Sequence, residues 1–265
     1  GRRVLGAGFF ATAIFLILPF IAVTAAAFSP VQYVSFPPTG FSFRWFMEIV
    51  NRPVWISAII TSAVIALVVA FAVTLASAFA LMTLHSRGWS QRSRIALGFL
   101  ASLPLLVPHV AIGIAMLAFS RSLGIGGTVT AIAIAHIILA IPFAYAPIAN
   151  SFAKMDPNLV HAAMTLGANS RQAFWQVVLP TLRPGMTTAF IFSFLSSFDE
   201  VTVSLFLIGP NIDLLPVRVL MEVQQNDSPV VAAISLVMIA IMLVALTLVE
   251  RVAGMGAFTA VERTR

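Results

Sequence analysis

Long hydrophobic runs separated by short polar stretches are the dominant pattern of this chain. Six runs reach the roughly 20 residues that an α-helix needs to cross about 30 Å of hydrocarbon. Backbone polar groups in lipid must bond within their own segment, so the runs predict membrane-spanning helices. The predicted spans are residues 6–28, 54–84, 95–119, 128–150, 186–208 and 230–252. Five prolines within these runs are expected to bend several of the spans: Pro19, Pro104, Pro108, Pro142 and Pro147.

The composition strengthens the membrane interpretation. Hydrophobic residues make up 60% of the 265 residues, charged residues only 9%, and the mean hydropathy is +1.03. A soluble domain carries about a quarter charged residues, so this chain needs a lipid bilayer to solvate its apolar surface. The short alternating strands of a membrane β-barrel are absent from the sequence. We therefore predict an all-α, polytopic membrane protein with a single transmembrane domain over residues 1–265.

Basic residues predict the orientation of the spans. They lie at the ends of apolar runs and form no basic patch with interleaved aromatics, so nucleic acid is not an expected partner. With the N-terminus inside, eleven of the fifteen basic residues fall on the cytoplasmic side and four outside, as the positive-inside rule requires. Both termini and the polar loop 153–185 are then cytoplasmic. The first run resembles a signal peptide, but it is longer than a usual one, so we expect it to remain as a span.

The loop 153–185 is a structured polar segment between two spans. Asp156-Pro157 has the form of an N-cap followed by proline at the first helical position. The pattern predicts a short helix over residues 158–166 that Gly167 ends, and a second helix over 170–178. Pro180 and Pro184 are expected to break the chain before the fifth span. The small surface residues of the first helix favour close approach of another protein, although a helix that packs on its own bundle remains the alternative.

The same loop carries a specific motif. It reads His161-Ala162-Ala163, three residues, Gly167, nine residues, Val177, one residue, then Leu179-Pro180. This resembles the cytoplasmic signature of ABC importer permeases, which is Glu-Ala-Ala, three residues, Gly, nine residues, Ile, one residue, Leu-Pro. His161 departs from the family Glu and puts in doubt any salt bridge assumed there. With six spans and the stretches Ser197–Glu200, Gly209-Pro210 and Leu215-Pro216, the chain resembles the spermidine/putrescine permease branch.

The resemblance implies a multi-subunit machine with the type I permease fold in a bacterial inner membrane. The implied partners are two ATP-binding cassette subunits, a second permease subunit that is usually a different chain, and an extracytoplasmic solute-binding protein. The ATPase subunits would hold ATP and Mg²⁺, and this chain itself would carry no cofactor. The implied contacts to the ATPase subunit are Asn158, His161, Ala162, Ala163, Gly167, Ala168, Leu179 and Pro180.

An acidic pair lies deep in the fifth predicted span. Asp199 and Glu200 are about thirteen residues into it, where ionisable groups usually face a cavity or a partner. On a continuous helix the two side chains would point about 100° apart. With Ser196 they form the candidate substrate path for a cation, whereas the alternative is a structural pair bonded near Arg218 or His109. The outer stretches 209–229 and 28–53 are the expected landing surface for a binding protein.

Catalytic motifs are absent from the sequence. It has no phosphate-binding GxxxxGK[ST] loop, no HExxH motif and no cysteine, and its four histidines are scattered, so neither catalytic residues nor a metal site is predicted. Two alternatives to an importer subunit remain open. One is a secondary transporter or channel that uses Asp199 and Glu200 as an ion site. The other is an intramembrane enzyme that uses His109, His136 and Asp199.

Overall fold

The computed structural model describes residues 2–33, 39–86, 90–156, 158–225 and 228–253, and within these ranges it is helical without any β-strand. The prediction of an all-α protein is confirmed. Residue Pro157, the predicted first position of the loop helix, lies outside the described residues. In chain order the elements are α1 (Arg2–Ala27), α2 (Arg44–Asn51), α3 (Pro53–Ser86), α4 (Gln91–Leu106), α5 (His109–Ser122), α6 (Val129–Lys154), α7 (Asn158–Thr165), α8 (Ser170–Ala173), a π-helical turn (Phe174–Val178), α9 (Leu179–Phe198), α10 (Thr202–Leu207), α11 (Leu215–Gln225) and α12 (Val230–Ala253).

The chain divides into two compact units. The first comprises Gly1–Ile60 and Asp213–Leu243, and the second comprises Thr61–Ile212 and Val244–Arg265. The helices α3 and α12 contribute residues to both units. The single transmembrane domain over residues 1–265 stays a prediction.

Four helical segments of the described chain are long and apolar enough to cross a membrane. They are Pro53–Leu84, Val129–Lys154, Ser170–Phe198 and Val230–Leu248. A fifth is added if the bent pair α4 and α5 counts as one span, and Thr12–Ala27 is a shorter apolar helix within the first predicted span. By length and composition the described residues therefore provide four or five of the six predicted spans. Their membrane orientation stays a prediction.

The third predicted span is not one rod. Helices α4 and α5 meet at an angle of 97°. Val107 between them is extended (φ −98°, ψ 129°), and Pro108 is the residue before the first turn of α5. A residue that precedes proline is sterically pushed out of the α region, which explains why the helix stops here. The bend expected at Pro108 is a complete break, while Pro104 is accommodated inside α4.

The expected break before the fifth span is wrong. The chain runs helically from Ser170 through the π-helical turn into α9, with Pro180 in the first turn of α9 and Pro184 inside it. The Leu179 N–H donates to the Phe174 carbonyl, five residues back. Just before Pro180 the hydrogen bonds therefore span five residues and not the four of an α-helix. Thr181 Oγ1 also donates to the Val177 carbonyl at 2.7 Å. The helix therefore continues through two prolines that sequence reasoning treats as breakers.

The fifth predicted span ends earlier than expected. Helix α9 stops at Phe198, and a short non-helical segment, residues 199–201, separates it from α10. The prediction that Asp199 and Glu200 lie on a continuous helix is therefore wrong. We call residues 199–201 the break segment.

The second unit is organised by α6. This helix packs against α9, α4, α10 and α5. Gly185 of α9 lies so close to α6 that a Cβ atom there would come within 2.8 Å of the Pro147 carbonyl oxygen and also meet Ser151. Small residues permit this backbone approach, which is the usual basis of helix packing in membranes.

The first unit contains an aromatic cluster after α1. The Phe28 ring stacks on Phe41 at a centroid distance of 4.7 Å, and the buried Trp45 of α2 donates from Nε1 to the Ser29 carbonyl at 2.7 Å. Arg218 pairs with Asp213 at 3.6 Å in the same unit. The landing surface expected at residues 28–53 and 209–229 stays a prediction.

Candidate functional site

Both ends of α7 are defined as the sequence predicts. Asp156 Oδ1 accepts the Asn158 N–H at 2.9 Å, which caps the start of the helix. At the other end Gly167 has φ +90°, its N–H donates to the Met164 carbonyl, and the Ala168 N–H donates to the Ala163 carbonyl, each at 3.0 Å. Glycine is favoured at this left-handed position because it has no Cβ atom to clash with the backbone. The predicted cap and stop are confirmed.

Helix α7 has no buried residue. It contacts α8 and the π-helical turn. Leu166 just after it is 89% exposed, and Trp175 in the π-helical turn is 58% exposed. An eight-residue helix without buried side chains gains little stability from packing on its own chain, so its surface is available to a partner.

The predicted ATPase contacts lie on one continuous segment. Asn158, His161, Ala162 and Gly167 are exposed, and Ala163 and Ala168 are partly exposed. Leu179 and Pro180 are partly buried in the first turn of α9. The π-helical turn and α8 connect the two groups, and α8 is held by reciprocal 2.9 Å bonds between Asn169 and Gln172. Sequence reasoning missed this capping box, although Asn-x-x-Gln is its recognisable signal.

The acidic pair occupies the break segment, where its two members have different surroundings. Glu200 is 8% exposed, its Oε1 accepts the Val203 N–H at 2.9 Å, and its Oε2 lies 3.2 Å from His109 Nδ1. The Glu200 carboxylate thus caps the start of α10 and binds α5. For this residue the geometry favours the structural alternative.

Asp199 is the exposed member of the pair. Its backbone N–H continues the α9 hydrogen bonding to Leu195, while its side chain makes no hydrogen bond or ion pair with the described residues. Ser196, three residues earlier, is partly buried. A carboxylate at the end of an apolar helix without a protein partner is available to a cationic ligand.

His136 also belongs to this region, and it bonds neighbouring helices, as is usual for a single histidine within a membrane span. It is 3% exposed in α6. Its Nδ1 lies 2.9 Å from Ser197 Oγ on α9, and its Nε2 lies 2.9 Å from Ser204 Oγ on α10. The serines lie seven positions apart on either side of the break segment, which no local sequence pattern connects to His136.

Metal binding has no support in the part of the chain that the structure describes. It contains no group of three or more His, Asp or Glu side chains that could hold a metal ion. The two histidines named for the enzyme alternative do not share a site: His136 is bonded to serines, and His109 to Glu200.

Comparison with known proteins identifies the family. A family model described as "Binding-protein-dependent transport system inner membrane component" matches residues 72–255. The chain belongs to this family. It is an ABC importer permease subunit, as the motif in the α7 loop predicted, and a transport component of the inner membrane.

Relatives of this permease carry two different substrate names. The spermidine/putrescine permease protein PotC of Haemophilus influenzae is 25% identical over 86% of this chain and 88% of its own length. The putative 2-aminoethylphosphonate permease protein PhnV of Salmonella typhimurium is 26% identical over 93% of this chain and 94% of its own length.

Solved structures support the fold of the permease. One is a bacterial alginate ABC transporter in complex with an alginate pentasaccharide-bound periplasmic protein. Its matching chain has a TM-score of 0.69 at 15% identity and covers 97% of this chain and 96% of its own length. A second structure, of a bacterial ABC transporter involved in alginate import, gives a TM-score of 0.64 at 16% identity, with 94% and 95% covered. At these identities the likeness concerns the fold alone.

Proposed function

We propose that this permease forms half of the translocation path of an ATP-driven importer for a polyamine or a related cationic amino compound. The observation that carries the substrate class is the exposed Asp199 carboxylate, which has no partner among the described side chains at the end of an apolar helix. An unpaired carboxylate in an apolar setting favours an ammonium group because the two charges compensate each other's desolvation. The similarity to PotC supports the same class.

The α7 segment is the proposed contact to the ATP-hydrolysing subunit. Its exposed residues Leu166 and Trp175 offer apolar contacts, and the partly exposed Ala163 permits close approach. Two ATPase subunits would hold ATP and Mg²⁺, a second permease subunit of different sequence would complete the path, and an extracytoplasmic solute-binding protein would deliver the substrate. ATP-driven closure of the ATPase pair would move α7 and switch the path between its inward-facing and outward-facing states.

An aminoalkylphosphonate is the second candidate substrate. PhnV matches this chain over 93% of its length at an identity similar to that of PotC. Such a compound also carries an ammonium group for Asp199, but its phosphonate needs a basic site as well. A substrate comparison therefore separates the two candidates.

Uptake by cells that lack the gene tests the proposal. The strain is complemented with the wild type, with Asp199→Asn, or with Asp199→Glu, which keeps the carboxylate and serves as the control. We expect spermidine and putrescine uptake to be lost in the deletion strain, restored by the wild type and largely restored by Asp199→Glu. Asp199→Asn should lower uptake by at least about tenfold, the effect of roughly 1.4 kcal/mol.

The same assay contains the outcomes that contradict the proposal. Uptake of 2-aminoethylphosphonate without polyamine uptake would assign the phosphonate class. Normal polyamine uptake by Asp199→Asn would remove the carboxylate from the path. Uptake that persists after ATP depletion while a membrane potential is maintained would favour the secondary transporter.

A further inference from the structure

The break segment separates α9 from α10 beside buried residues of the second unit, among them Phe198, Glu200 and Val203. Separating two helices there leaves backbone groups without their usual helical partners, and such groups are costly in an apolar setting. Something other than local sequence must hold the two helix ends, because residues 199–201 contain neither proline nor glycine.

His136 contacts both ends of the interruption. Its Nδ1 meets Ser197 in the last turn of α9 and its Nε2 meets Ser204 in α10, each at 2.9 Å. One buried ring on α6 thus spans the break segment. A single hydrogen bond would be enough to join α6 to one neighbouring helix, whereas His136 makes one bond to α9 and another to α10.

The hydrogen-bond network assigns the tautomer of His136. The Ser204 hydroxyl donates its proton to the Glu200 carbonyl at 2.8 Å, so it accepts from His136 Nε2–H. His136 Nδ1 is then free to accept from the Ser197 hydroxyl. Every group in the chain Ser197–His136–Ser204–Glu200 carbonyl has a partner, and fully satisfied buried networks fix one geometry.

The neighbouring contacts hold the same segment. Glu200 caps α10 and reaches His109 on α5, while beyond α10 a Cβ at Gly209 would collide with the Gly127 backbone. Asp199 is the member of the segment whose side chain none of these bonds engages.

We propose that His136 is a positioning residue, which clamps α9 and α10 across the break segment and so holds the Asp199 carboxylate in the translocation path. The role of Asp199 in this statement rests on the proposed function, whereas the clamp rests on the geometry alone. His136 itself does not contact the substrate.

Spin labelling tests the clamp in the assembled transporter in proteoliposomes. The chain has no cysteine, so Leu205→Cys, an exposed position on α10, provides a single labelling site, and Phe192→Cys on α9 provides the control site. We expect His136→Ala to raise the mobility of the label at 205 and to leave the label at 192 unchanged. Ser197→Ala, which removes one of the two bonds of His136, should raise the mobility at 205 by less.

A matched serine provides the control for these variants. Ser193 lies one turn before Ser197 on α9 and is buried, but its hydroxyl has no hydrogen-bond partner among the described residues. Ser193→Ala should leave the spectrum at 205 unchanged. His136→Gln, whose amide can still reach Ser204, should restore part of the wild-type spectrum. An unchanged spectrum in His136→Ala, or an equal change in Ser193→Ala, overturns the clamp.

A double-mutant cycle in uptake tests the positioning role. If His136 acts through Asp199, His136→Ala should lower polyamine uptake in the wild-type background and have no further effect in Asp199→Asn. Multiplicative losses in the double variant overturn the positioning role. Normal uptake by Asp199→Asn overturns both the proposed function and the positioning role of His136. The spin-label spectra test separately whether His136 holds α9 and α10 together.

Discussion

Asp199 and Glu200 are adjacent in sequence, yet their carboxylates have different neighbours. Glu200 is buried and bonded to Val203 N–H and His109, whereas Asp199 is exposed and has no side-chain partner among the described residues. The division follows from the break segment, because a continuous helix would not place the Glu200 side chain as a cap of α10. Stability and substrate passage are therefore expected to depend on different members of the pair.

Substitution of each carboxylate separates these roles. Glu200→Ala should lower the free energy of unfolding by about 1–3 kcal/mol, because it leaves a buried N–H without its acceptor. Asp199→Ala should change it by less than about 0.5 kcal/mol, as expected for a side chain outside any network. Denaturation of the detergent-solubilised chain, followed by intrinsic fluorescence, measures both. Equal losses in the two variants would show that the pair acts as one structural unit.

At the residue scale, the sequence singled out the acidic pair, whose depth in the membrane stays a prediction. It could not divide the pair between two roles, because the contact that engages Glu200 comes from His109 on α5 and the bonds that hold the two helix ends come from His136 on α6. These histidines are distant from the pair in sequence and acquire their partners only when the helices pack. The Gly167 stop and the Asp156 cap could be predicted because their partners lie within a few residues.

Local hydrogen bonds define both ends of helix α7, while none of its residues is buried. Gly167→Pro removes the N–H that bonds to Met164 and forbids φ +90°, and so should disorder the end of α7. Ala163→Trp should block close approach of a partner without that local effect. Both are expected to uncouple ATP hydrolysis from uptake in the reconstituted transporter while membrane insertion stays normal. Unchanged uptake in either variant would count against the coupling role.

The matched control lies in the loop between α5 and α6. Gly124 also has positive φ (+70°), has open space around its Cα, and donates its N–H to Arg121 at 3.0 Å. Gly124→Ala and Gly167→Ala carry a similar backbone strain of about 1 kcal/mol. We expect only the Gly167 variant to change the ratio of ATP hydrolysed to substrate transported.

The α6–α9 contact is a second element-scale test. Gly185→Ala places a Cβ against Ser151 and within 2.8 Å of the Pro147 carbonyl oxygen, so it should cost about 1–3 kcal/mol of stability through overpacking. Adding Ser151→Gly should recover part of the loss, since it removes one of the two obstructions. Thermal unfolding of the single and double variants provides the measurement, and a fully stable Gly185→Ala protein would refute the close packing.

At the element scale, hydrophobic run length located long apolar helices for four or five of the six predicted spans and failed at their interruptions. The 97° bend between α4 and α5 has a local cause in Pro108, so its position could be predicted although its size could not. The break segment has no such cause. At Pro180 and Pro184 the sequence predicts a break, but the chain stays helical from the π-helical turn into α9.

Membrane orientation belongs to the whole molecule and follows from the distribution of basic residues alone. Leu166 is 89% exposed in the described structure, and the chain has no cysteine. When the chain is expressed without ATPase subunits, which would cover this position, Leu166→Cys should react with a membrane-impermeant maleimide only in inside-out vesicles. Tyr33→Cys, at a 61% exposed position before α2, should react only in right-side-out vesicles. The opposite labelling pattern would reverse the orientation and place α7 away from any cytoplasmic ATPase.

The central claim is that this permease works within an ATP-driven assembly through α7. Affinity purification of the chain from its native membrane in mild detergent, with mass spectrometry of the proteins recovered, tests it most directly. We predict recovery of an ATP-binding cassette subunit and a second permease, with Ala163→Trp recovering less of the ATPase subunit and an unchanged amount of the second permease. A wild-type chain that purifies alone and transports solute in liposomes without ATP would contradict the account.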